Sequence, residues 1–192
     1  MNTVLGRHEW SEAVLVEARG HDAERIARLH IASWQATYAE ELSQAFLRHQ
    51  DLRAHTAEWR RRLADGVAVL LAEEGDQTAG FVGCGPTRRP AGSADEWEIY
   101  NLHVAPVWQG KGIGSQLFDA AVGLGRERGA RELVLWVVKT NKAARTFYER
   151  KGMRYDGGEQ EHLAAPGETL TEVRYRMDLP AVLKRGRGPT ST

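Results

Sequence analysis

Residues 98–118 read Glu98-Ile99-Tyr100-Asn101-Leu102-His103-Val104-Ala105-Pro106-Val107-Trp108-Gln109-Gly110-Lys111-Gly112-Ile113-Gly114-Ser115-Gln116-Leu117-Phe118. The stretch changes character twice. It begins as an extended, half-apolar run, passes through the glycine-rich segment 109–114, and continues with helical spacing. Glycine lets a backbone adopt positive φ and approach a ligand closely. Successive N–H groups at a helix N-terminus make an anion site. Strand, glycine loop and helix in that order therefore read as a phosphate-binding turn. A Walker loop needs G-x-x-x-x-G-K-[ST], which does not occur here. A dinucleotide fingerprint needs G-x-G-x-x-G/A at an early βα turn. The nearest frame starts at Gly112 and puts Leu117 in the third small position.

The strand before the loop carries a second signal. Trp97 and Ile99 are apolar at odd positions, Leu102 and Val104 at even ones. Side chains alternate faces with period two, so a regular strand cannot switch parity. One extra residue near Tyr100–Asn101 restores the pattern, which predicts a β-bulge in the strand 96–104. Glu98, Tyr100, Asn101 and His103 then share the opposite face.

Outward from this centre the pattern alternates in type. Segment 13–18 is a short strand, 21–38 a helix with Ile26, Leu29, Ile31 and Trp34 at helical spacing, and 52–64 a charged helix. Runs 67–73 and 78–83 form a hairpin around Glu74-Gly75-Asp76-Gln77. Segment 114–128 is helical, 132–138 is a buried strand, and 141–151 is a helix stopped by Gly152. One or two strands follow, ending with 172–178. The order predicts an α/β fold: a central mixed sheet of six or seven strands flanked by about four helices.

Composition limits the classes. The chain has 192 residues, 42% apolar and 27% charged, with zero formal net charge. That length fits a single domain over 13–180, between a flexible N-terminus at 1–12 and a disordered tail at 181–192. The longest apolar runs, 67–72 and 133–138, fall far short of the ~20 residues of a spanning helix. Balanced charge lacks the basic excess of a nucleic-acid binder. The lone Cys84 forms no internal disulfide and fits no metal-ligand spacing; it reads as a small buried residue. Without an apolar N-terminal segment, the expected place is the cytoplasm, with no membrane, nucleic acid or metal. Trp59-Arg60-Arg61-Arg62 reads as a solvated helix face with one buried Trp.

Gln109-Gly110-Lys111-Gly112-Ile113-Gly114 matches the [QR]-x-x-G-x-[GA] loop of the GNAT superfamily of N-acetyltransferases. Asn141-Lys142-Ala143-Ala144-Arg145-Thr146-Phe147-Tyr148-Glu149-Arg150-Lys151-Gly152-Met153 resembles that family's N-x-x-A-x-x-F-Y-x-x-x-G-[FM] pattern throughout. Residues 29–38 are similar to the first helix of many small bacterial members. The resemblance spans residues 13–180 and is specific from 98 to 153.

The resemblance implies acetyl transfer from acetyl-CoA to a primary amine of a small molecule or protein, by direct attack in a ternary complex. It implies that Leu102, His103 and Val104 line the pantetheine arm, with the Val104 N–H on the thioester carbonyl. It places the pyrophosphate on Gln109, Gly110, Lys111, Gly112, Ile113, Gly114 and Ser115. Asn141 and Ala144 contact the arm, and Tyr148 protonates the leaving sulfur. Glu98 is the expected general base, with His103 or ordered water as alternatives. Trp34, Tyr38 and Tyr100 are expected at the acceptor site, and Trp59 and Trp97 are further aromatic candidates there or plain core. Two rival readings are a non-catalytic acyl-CoA sensor and a transferase for a longer acyl chain. The family often forms homodimers.

Overall fold

In chain order the elements are β1 (Val14–Glu17), α1 (Ala23–Thr37), α2 (Gln44–Arg48), α3 (Leu52–Ala64), β2 (Ala68–Glu74), β3 (Gln77–Pro86), β4 (Glu96–Val104), α4 (Ile113–Glu127), β5 (Glu132–Val138), α5 (Lys142–Arg150), β6 (Arg154–Ala165) and β7 (Glu168–Asp178). They come from a computed structural model that describes residues 13–88, 93–165 and 167–180. The expected terminal segments, 1–12 and 181–192, lie outside the described residues.

The strands form one seven-stranded sheet in the order β1-β2-β3-β4-β5-β7-β6. Every neighbouring pair is antiparallel except β4–β5. The mixed sheet is the one expected. Two details differ. A short helix, α2, raises the number of described α-helices to five. Its first turn is capped by Ser43, whose Oγ accepts from the Phe46 N–H at 3.2 Å. Five residues are too few for a periodic signal. The strand β6 also escaped individual assignment: Gly157, Gly158, Gln160 and three glutamates over 157–168 mask it, and it is held by pairing with β7.

The two faces of the sheet bury different helices. On one face Leu117, Phe118 and Ala121 of α4 pack on Ile99, Leu133, Leu135 and Tyr175, all at most 3% exposed. On the other, Ile26 and Ala27 of α1 and Trp59 of α3 pack on Leu71 and Phe81. Each such fully buried large side chain contributes roughly 1.5–3 kcal/mol. Local chemistry starts α3 where expected: Asp51 Oδ1 accepts from the Arg53 N–H at 2.8 Å, the usual N-cap device. Among the described residues, no helix is long and apolar enough to cross a membrane.

Candidate active site

β4 is the hinge of the site. Its register with β3 slips between Gly83 and Cys84: Gly83 faces Asn101 and Cys84 faces Ile99, which leaves Tyr100 as the extra residue. This is the bulge that the apolar parity demands. Ile99, Leu102 and Val104 lie on the α4 face. His103 lies on the α1/α3 face, with its ring 5.2 Å from that of Phe81. Pairing between β4 and β5 stops at Ile99–Leu135, so residues 100–104 have no partner on β5. Two parallel strands are splayed apart just beyond the bulge.

The backbone phase beyond the bulge follows from one hydrogen bond. The Ala105 N–H donates to the Ala79 carbonyl at 2.9 Å. Antiparallel ladders alternate bonded and non-bonded pairs, and the register 80–104, 81–103, 82–102 is unbroken. His103 therefore turns its backbone to β3, while Leu102 and Val104 turn theirs into the gap. Of the expected triplet, only Leu102 and Val104 present backbone groups there; His103 presents a ring to the other face. The Val104 carbonyl accepts from Gln109 Nε2 at 3.3 Å.

The glycine loop lies against this gap. Gly110 and Gly112 have φ of 75° and 86°, the left-handed region that disfavours any Cβ. Gly112 is the N-cap of α4. The first amides of a helix lack carbonyl partners, so Ile113 and Gly114 offer free N–H groups beside the loop. Ser115 is different: its N–H donates to the Gly112 carbonyl at 2.9 Å. Lys111 Nζ sits 4.3 Å from the centre of the Trp108 ring. A Cβ on Gly114 would lie 3.6 Å from Val104, 3.8 Å from Phe147 and 3.9 Å from Leu102. Loop, gap and α5 thus meet at one point.

α5 closes the far side. Asn141 caps it, with Oδ1 accepting from the Ala144 N–H at 3.0 Å. The Tyr148 ring is 8% exposed and lies 5.3 Å from Phe147 and 6.3 Å from Phe118. Its hydroxyl hydrogen-bonds no described residue. Burial first, then the nearby Tyr38 phenol, pushes the Tyr148 pKa well above the usual tyrosine range. Burial also raises Tyr38, against the pull of the neighbouring Asn141 side chain. The structure thus brings together Tyr38, Asn141 and Tyr148 from opposite ends of the chain.

On the α1/α3 side the expected residues divide. Glu98 is 8% exposed; its Oε2 accepts from the Arg88 N–H at 3.0 Å and from the Thr87 hydroxyl at 3.4 Å. It sits level with Val134, where β4 and β5 are still paired. Tyr100 donates to the Pro86 carbonyl, and Arg88 stacks 3.6 Å from its ring centre; burial lifts its pKa to about 12. Trp34 is half-buried between rings of Tyr38, Phe46 and His162. Trp59 is core, 1% exposed. Trp97 packs on Gly125 of α4 and belongs to the core on the face away from α1. Cys84 is fully buried, and burial raises its thiol to about 11.

Sequence reading missed His30 and His55. The His30 ring is 4.8 Å from that of His103 and 6.0 Å from that of His55. A polar residue beside Leu29 on the buried stripe of α1 was the available signal. Among the described residues, no His, Cys, Asp and Glu group is arranged to hold a metal ion.

Comparison with known proteins agrees with this geometry. Residues 23–153 match the model of the acetyltransferase (GNAT) family. An uncharacterized N-acetyltransferase of Archaeoglobus fulgidus is 30% identical over 139 residues, covering 69% of this chain and 87% of the relative. The fold is shared with the PaiA N-acetyltransferase of Thermoplasma acidophilum in complex with coenzyme A, at TM-score 0.67 and 19% identity over 86% of this chain and 98% of that one. It is also shared with YncA of Salmonella typhimurium, a putative acetyltransferase with its cofactor acetyl-CoA, at TM-score 0.67 and 21% identity over 95% and 100%.

Proposed function

The chain belongs to the acetyltransferase (GNAT) family, and from that premise we propose that it moves the acetyl group of acetyl-CoA onto a primary amine by direct attack in a ternary complex. One observation carries the reading: the β4–β5 gap opens where the glycine loop and the N-terminus of α4 arrive. A diphosphate and an extended amide-bearing arm fit such a site together.

Each residue has a task in this scheme. The loop from Gly110 to Gly114 binds the diphosphate through main-chain N–H groups, with Lys111 beside it. Leu102 and Val104 pair with the arm as an added strand would. The Val104 N–H faces the carbonyl oxygen that gains negative charge, an interaction worth roughly 3–4 kcal/mol in comparable sites. Tyr148 keeps its proton at neutral pH, because burial opposes its ionisation. It gives that proton to the departing sulfur, whose thiolate is otherwise released at pKa ~8.5. Asn141 holds the first turn of α5, and so the position of Tyr148 seven residues on. Tyr38 and Trp34 border the acceptor. An alkyl amine with pKa ~10 arrives protonated and must lose a proton before its lone pair can attack.

The test is thiol release from acetyl-CoA over a panel of primary amines, with Tyr148→Phe alongside. Amine-dependent release that collapses in Tyr148→Phe is expected. Binding of acetyl-CoA without release for any amine would leave a sensor module instead.

A further inference from the structure

His103, His30 and His55 come from three elements, β4, α1 and α3, and the His30 ring adjoins both of the others. The ring centres are 4.8 Å apart for His103–His30 and 6.0 Å for His30–His55. His103 is the residue before Val104. At the other end, a ring nitrogen of His55 lies 2.7 Å from Gln50 Oε1 at the edge of α3. Between them, both ring nitrogens of His30 are buried and have no hydrogen-bond partner among the described residues. An imidazole carries a donor and an acceptor, and leaving both unmet in a protein interior is costly. Around it stand the rings of Trp34, Trp59 and Phe81.

We propose that His103, His30 and His55 form the route by which the acceptor amine's proton leaves the site, with His103 receiving it and His30 and His55 passing it to the α3 surface. This rests on the acetyl-transfer reading and replaces Glu98 as the first proton acceptor. Glu98 is already engaged by Arg88 and Thr87, whereas no described residue engages the nitrogens of His30. Over one turnover two N–H bonds of the ammonium break. The first proton leaves through the imidazoles, and the freed electron pair forms the C–N bond. The second is shed after that bond forms and replaces the proton that Tyr148 gives to sulfur. The C–S bond breaks, the thiol leaves protonated, and one proton is released to solvent.

The three imidazoles start neutral, and each is a weaker base than a free imidazole. Burial holds His103 at about 4. Burial, reinforced by His103, His55 and Arg62, holds His30 at about 2. His55 is lowered by burial and Arg62, with Asp51 and Glu58 pulling the other way. All three rings are uncharged at pH 7 and do not repel an incoming cation.

Two measurements test the route. The first compares acetyl transfer to ethylamine, protonated at pH 7, with transfer to hydroxylamine, which is neutral there. His103→Gln and His30→Phe are expected to lose at least tenfold more kcat/KM with ethylamine than with hydroxylamine, while KM for acetyl-CoA holds. The ethylamine deficit closes as pH rises, and added imidazole partly restores His103→Ala. Equal losses with both amines, or Glu98→Gln alone showing this pattern, overturns the proposal. The second needs no acceptor: histidine NMR titrations of the protein. His30→Phe is expected to shift the titrations of both His103 and His55. Unmoved titrations overturn the chain even if transfer is real, and absence of thiol release from the unaltered protein overturns the transferase reading and the route with it.

Discussion

Replacing Gly112 by alanine separates the loop's two duties. Its φ of 86° places an alanine in the left-handed region at a cost of about 1–2 kcal/mol. For a chain of this length that lowers Tm by roughly 2–8 °C. Gly75, in the β2–β3 turn with φ 56°, faces open space and pays the same kind of cost far from the gap. The pair is therefore matched in stability and differs in position. In the parent protein, acetyl-CoA at 100 times Kd adds ~2.7 kcal/mol, a rise of roughly 5–10 °C. If Gly112→Ala relaxes toward negative φ, the amides of 110–114 no longer converge. A tenfold weaker Kd leaves about 1.4 kcal/mol and half the rise. Gly75→Ala keeps the full rise from a lower baseline, and Gly112→Asn, which tolerates positive φ better, falls between. Differential scanning fluorimetry with and without acetyl-CoA reads all of this. A full acetyl-CoA rise in a destabilised Gly112→Ala would show that the loop does not grip the diphosphate, and the assignment built on it would go.

Other expectations follow from single contacts. Tyr148→Phe should lower thiol release by about 10²–10⁴-fold with the acetyl-CoA thermal rise intact; a fall of less than threefold removes Tyr148 as the acid. Gly125→Ala brings a Cβ to 2.9 Å from the Trp97 ring, an overpacking that costs about 1–3 kcal/mol, visible as a lower urea midpoint with unchanged slope. Stability is expected to decline on the acid side. His30 and His103 are held near 2 and 4 in the fold but near 6.5 when unfolded, so the unfolded chain takes up more protons as pH falls below ~6.5 and folding weakens toward pH 4. His30→Phe flattens that limb in Tm-versus-pH scans, and an unchanged limb would show that His30 is not held neutral. At the alkaline end the raised Tyr148 makes the opposite contribution. Stability is lost as pH rises above ~10, where the unfolded phenol ionises and the folded one does not, and Tyr148→Phe removes that part of the alkaline decline.

What could be read from residues alone was whatever depends on neighbours in the chain. The glycine loop, the cap at Asn141, the β2–β3 turn and the strand 132–138 are local chemistry, and period-two parity in 97–104 was enough to require a bulge, because a strand has only two faces. Those features named a family. The short α2 and the polar β6 were not legible, since each is held by contacts with distant segments rather than by its own pattern. Tertiary structure alone decided how far the β4–β5 pairing runs, that Trp97 faces α4, and that the backbone of His103 turns from the gap while its ring turns toward α1. It also set His30 and His55 beside His103, three positions spread over 73 residues. Proximity across a sheet is a property of packing and register, and no spacing in a single sequence encodes it.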